Sequence, residues 1–158
     1  MGFRLRTGLA FVLFLLLVLI FMPVIALWLN EPALAAISYL AFHPFCHQLA
    51  ERSFHVNGIQ LAVCARCAGI YAGIFLGYVF FIARSKPVSK LIFVSIFLVA
   101  CDGVLNALGL ADTPAILRFA LGLAFGFFSG WLLGHGISDM EKILKKTLEH
   151  KWETGNIT

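Results

Sequence analysis

Three cysteines and two histidines fall in two short motifs, His43-Pro44-Phe45-Cys46-His47-Gln48 and Cys64-Ala65-Arg66-Cys67. A CxxC pair brings two thiols close enough to share a metal ion or close a disulfide, and an upstream HxxC can complete a tetrahedral site. The expected metal set is Cys46, Cys64 and Cys67 with one histidine. His43 shares a face with Cys46 if Pro44 opens a helical turn; His47 is the alternative, because adjacent residues on a regular helix point apart. Zinc suits this soft donor set, and four protein ligands make such a site structural whereas three plus water make it catalytic. A redox chemistry competes. Cys64 and Cys67 at a helix N-terminus, where the dipole and Arg66 lower a thiol pKa, suit disulfide exchange with Cys46, with a quinone arriving through the bilayer. That reading leaves His43, His47 and Gln48 without a task.

The elements that position these motifs are apolar. Hydrophobic residues make up 61% and charged residues 13% of the 158-residue chain, a membrane-protein composition. Four runs, Gly8–Leu29, Leu61–Ala83, Val88–Leu110 and Ala115–Ile137, match the roughly 20 residues that a spanning helix needs. Ala33–Phe42 is too short to span and reads as an interfacial or re-entrant piece. The first apolar core exceeds the ~7–15 residues of a cleavable signal, so it is read as a retained helix. The expected fold is an all-α four-helix transmembrane bundle, one domain over residues 1–137, with a solvated amphipathic tail at 138–158.

Nine basic residues (Arg4, Arg6, Arg84, Lys86, Lys90, Lys142, Lys145, Lys146 and Lys151) fall on one side of this plan, and three (Arg52, Arg66 and Arg118) on the other. The positive-inside rule then puts both termini and the tail in the cytoplasm and the Cys/His loop outside, in a multi-pass cell-membrane protein. The net charge of +4 serves topology, and no patch or motif points to nucleic acid.

Gly69, Gly73 and Gly77 in the second span, and Gly122, Gly126, Gly130 and Gly134 in the fourth, recur at four-residue spacing. Such strips let two helices approach closely, here in parallel with Gly69 near Gly122. Arg66 and Arg118 extend the strips outward. Asp102, an acid embedded in a span with Asn106 one turn on, is their natural counter-charge, either locking the bundle or helping to bind a ligand.

At these residues a resemblance appears. The run HPFCHQLAERSFHVNGIQLAVCARCAGIYAG, with the later Asp102 and Arg118, resembles a family of small prokaryotic membrane proteins known mainly as a domain of unknown function, marked by CHQ…RS…CxRCxGxYxG. It implies that Cys46, His47, Gln48, Arg52, Ser53, Cys64, Arg66, Cys67, Gly69, Tyr71, Asp102 and Arg118 occupy signature positions, and that Ala62, Ala68 and Asn106 depart from commoner residues. Together these features suggest a Cys/His metal site beside a ligand pocket of Gln48, Arg52, Arg66, Tyr71, Asp102, Asn106 and Arg118. An anionic or lipid-derived small molecule, delivered from the membrane, suits that pocket. A quinone-linked thiol–disulfide oxidoreductase and a non-catalytic accessory subunit are the alternatives.

Overall fold

The computed structural model describes residues 2–83, 89–110 and 112–155. Among the described residues are five α-helices: α1 (Gly2–Trp28), α2 (Pro32–Phe42), α3 (Ala65–Ala83), α4 (Ser89–Ala107) and α5 (Ala115–Gly155). A small antiparallel hairpin, β1 (His55–Val56) with β2 (Ile59–Gln60), lies between α2 and α3. By length and composition Leu5–Trp28 and Ala115–Glu149 are long and apolar enough to cross a membrane, while Pro32–Phe42, Ala65–Phe81 and Leu91–Ala107 are shorter apolar helices. The two middle spans expected from hydropathy contract to 19 helical residues each. The basic loop at Arg84 and Lys86 lies outside the described residues.

Leu61–Cys64 is apolar yet not helical, because its backbone is used elsewhere. The Ala62 N–H donates to the Ile20 carbonyl of α1 at 3.1 Å, close to Pro23, which removes a rung from that helix's ladder. Leu61, Ala62 and Val63 are buried in one cluster with Ile20, Val24, Phe42 and Cys46. Ile20 lies about 12 Å along α1 from its last residue, so the cysteine loop is sunk into the bundle rather than spread over its end. The Ala33–Phe42 run becomes α2, which doubles back along α1. It begins after a turn in which Asn30 takes a left-handed conformation, and it ends with Phe42 packed beside Ile20. At the hairpin tip, Asn57 and Gly58 both have positive φ, as a two-residue type I′ turn requires.

α3 runs antiparallel to α1: Ala62 pairs with Ile20, and the Tyr78 hydroxyl donates to the Arg6 carbonyl at 3.3 Å. α3 and α5 run parallel and touch backbone to backbone. A Cβ on Gly69, Gly73 or Gly77 would collide with the main chain of α5 between Phe119 and Phe127. One on Gly122, Gly126 or Gly130 would collide with α3 between Arg66 and Ile74. The two helix N-termini therefore lie side by side at the cysteine end. α5 continues unbroken for 41 residues through the segment read as a separate tail. No proline interrupts it, and Arg6 of α1 holds its middle through Ser138 Oγ at 3.0 Å and Glu141 at 2.9 Å.

Candidate metal centre

The Sγ atoms of Cys46, Cys64 and Cys67 all lie within 4.8 Å of one another. A tetrahedron with metal–sulfur arms of about 2.3 Å has edges of about 3.8 Å, so small side-chain adjustments would close these three sulfurs on one ion. Each sulfur comes from a different local structure. Cys46 follows the turn that ends α2, Cys64 immediately precedes α3, and Cys67 lies in its first turn. All three are free thiols. The Cys64 N–H donates to Cys46 Sγ at 3.2 Å, support suited to a sulfur that carries negative charge. Hydrogen bonds from the Cys64 and Cys67 thiols hold Cys46 far below the ordinary thiol pKa, and burial only partly opposes them. Cys64 is pushed the other way, chiefly because its thiol donates to Cys46.

A cavity of about 340 Å³ opens beside the sulfurs, and its lining includes all three cysteines, His47, Gln48, Arg52, Arg66 and Arg118. Of the other residues expected at the site, His43 is exposed in the turn after α2, and it belongs neither to the sulfur group nor to the cavity wall. His47 is exposed and lines the cavity without joining the sulfur group. Tyr71 packs edge-on against Phe42, with ring centroids 5.6 Å apart, in the core beneath. Asp102 and Asn106 lie behind the arginines rather than in the wall.

Gln48 acts as a strut. Its Nε2 donates to the Tyr39 carbonyl and to the Ala62 carbonyl, each at 2.8 Å, joining α2 to the strand of chain that delivers Cys64. Gln60 returns the tie by donating to the Gln48 carbonyl at 2.7 Å and to Ser53 Oγ at 3.1 Å.

The buried Asp102 carboxylate pairs with Arg66 Nη2 and accepts from Asn106 Nδ2 at 2.9 Å and Thr113 Oγ1 at 2.7 Å. The Asn106 carbonyl oxygen accepts from Arg118 Nη2 at 2.5 Å. Asn106 therefore relays between an anion and a cation that never meet. Thr113 and Asp112, the latter 3.5 Å from Arg118, were not singled out in the sequence: they sit in the short link before α5 and belong to no periodic pattern. Replacing Asp102 with Asn should keep the fold but cost about 3 kcal/mol, because it strands the half-buried Arg66 charge. A denaturation midpoint unchanged from the parent would show that Arg66 is solvated without it.

Comparison with known proteins places this arrangement. The model of a family described as predicted membrane proteins, DUF2085, matches residues 46–132, which hold the three clustered cysteines, Asp102 and Arg118. The chain belongs to the DUF2085 family. An uncharacterised protein of Methanocaldococcus jannaschii is 34% identical over 95 residues, covering 56% of this chain and 61% of that protein. An uncharacterised protein of Methanothermobacter thermautotrophicus is 30% identical over 115 residues, covering 70% of this chain and 96% of that protein. No solved structure matches. The DUF2085 match begins at Cys46, so His43 lies outside the matched segment.

Proposed function

We propose that α1, α3, α4 and α5 cross the membrane, with the cysteine loop at the extracytoplasmic side. In this reading Cys46, Cys64 and Cys67 hold one zinc ion whose fourth position faces the arginine-lined cavity. The observation that carries the metal reading is the convergence of three free sulfurs, from two separate pieces of chain, on the wall of a cavity. A Cys64–Cys67 disulfide needs two sulfurs and leaves the buried Cys46 to wait for exchange, whereas coordination uses all three at once. His47 lines the same cavity and can supply a fourth ligand. If it does, the site is structural; if water or a ligand takes the position, zinc can polarise what binds there.

At 19 residues, α3 and α4 are each about 28 Å long, close to the roughly 30 Å hydrocarbon thickness. The nine-to-three distribution of basic residues sets the orientation. Protein purified without chelator should carry about one equivalent of transition metal, and less than about half an equivalent with intact thiols would count against the centre. A cysteine at exposed position 51 (Glu51→Cys) should react with a membrane-impermeant thiol reagent on intact cells, and one at position 146 (Lys146→Cys) should not. The opposite labelling pattern would invert the orientation.

A further inference from the structure

The glycine strips impose an electrostatic difficulty at the cysteine end. Parallel α3 and α5 bring two positive helix ends together, an unfavourable arrangement unless negative charge lies between them. The sequence adds positive charge there. Arg118, in the first turn of α5, has a side chain only 5% exposed, and its nearest acid, Asp112, is a fully exposed group 3.5 Å away. Arg66 lies in the first turn of α3. The buried Nε atoms of Arg118 and Arg66 have no hydrogen-bond partner among the described residues. Arg52 enters the same cavity from the turn before the hairpin, with the exposed Glu51 4.0 Å away. Against three guanidinium groups, Asp102 is, among the described residues, the one buried carboxylate in this network.

We infer that the cavity is a receptor for a phosphate-type oxyanion, held by Arg118 and Arg66 between the N-termini of α5 and α3, with Arg52 closing over it. The inference rests on the zinc reading, which turns the metal's fourth position toward the same cavity. Asp102 offsets Arg66, while Arg118 and Arg52 have near them the exposed carboxylates of Asp112 and Glu51, counter-charges held in solvent rather than in the cavity. Guanidinium forks match the paired oxygens of phosphates and carboxylates. Three forks arriving from three elements favour the several unshared oxygens of a tetrahedral phosphate over the two of a carboxylate. The rim carries Phe45, which is 76% exposed, and Leu49, an apolar approach suited to a phosphate attached to an acyl chain. The shared chemistry is the phosphate; a lipid headgroup and free phosphate are its two sources.

The test uses full-length, zinc-loaded protein in a zwitterionic detergent, titrated with inorganic phosphate by calorimetry, with zinc measured in each sample. Saturable one-site binding is expected, weakened about ten- to a hundredfold in Arg118→Gln and partly restored in Arg118→Lys. Because Arg118→Gln can fail to fold, Arg52→Gln on the partly exposed turn provides the second variant. It should weaken binding several-fold at unchanged zinc content. Short-chain phosphatidylglycerol then separates the sources: competition with phosphate assigns a headgroup, and its absence assigns free phosphate. Zinc-loaded parent protein with no saturable binding of either probe overturns the oxyanion site while leaving the metal centre standing. Phosphate binding by a parent that takes up no zinc when zinc is supplied, its thiols intact, leaves the oxyanion site standing and overturns the metal centre.

Discussion

Cys64→Ser should purify with less than about a tenth of the parent's zinc and melt well below it, since structural zinc contributes on the order of 10 kcal/mol to small folded sites. The substitution is chosen to leave α3 intact. Cys64 is the residue before the helix, and its carbonyl accepts from the Ala68 N–H at 2.9 Å. Serine preserves that bond and is itself a favoured N-cap. What it removes is one of the three converging sulfurs, so the loss reads coordination rather than helix initiation. Acid should do to the parent what the substitution does at neutral pH. Protons compete with the metal for the thiolates, so zinc should be released as pH falls, and Cys64→Ser should show no comparable release step. A Cys64→Ser protein with the parent's zinc content and melting temperature would remove the three-sulfur centre from consideration.

Much of this arrangement was legible before the structure, for reasons specific to each residue. Four-residue glycine spacing has one geometric meaning on a helix, a flat strip, so the close approach of α3 to α5 could be read directly. Arg66 and Arg118 could be placed at one end because each lies about one turn before its strip. The Asp102–Arg66 pair follows from the cost of leaving an acid alone in an apolar helix. The loop was harder to read, because tertiary hydrogen bonds decide its shape. Helical spacing put His43 on the Cys46 face if Pro44 opened a helical turn; α2 ends at Phe42, the Cys46 N–H closes one further turn onto the Phe42 carbonyl at 3.0 Å, and His43 lies exposed outside the sulfur group and the cavity wall. Hydropathy also assigned Leu61–Cys64 to a span. Gln48 and Ile20 claim that backbone instead, and no periodicity in the sequence announces either bond. The recessed position of the cysteines follows from those bonds, and so it too was invisible.

Gly73→Leu should abolish the compact bundle, and Gly126→Leu should do the same from the other side. A Cβ on Gly73 meets the Leu123 carbonyl oxygen and the backbone of Gly126 and Phe127; one on Gly126 meets the backbone of Ile70. Main chain within a helix cannot swing aside as a side chain can, so α3 and α5 must separate. Gly134 is different in kind: its obstacle is the Phe81 ring, which can turn, so substitution there should be milder. Overpacking a well-fitted contact costs roughly 1–3 kcal/mol even for small additions, and a leucine forced between backbones should exceed about 3 kcal/mol. The effect should also reach the metal. Cys67 lies about 9 Å above Gly73 along the same helix, and Arg118 and the cavity depend on the separation between the two helices. Zinc content should therefore fall together with the melting temperature, although neither glycine touches the site. Gly8→Leu and Gly136→Leu are the matched controls, since an added Cβ meets nothing within 4 Å at either position. Parent-like melting and zinc content in Gly73→Leu and Gly126→Leu would mean that α3 and α5 do not meet along these strips. In that case the paired helix ends and the cavity between them would lose their structural basis.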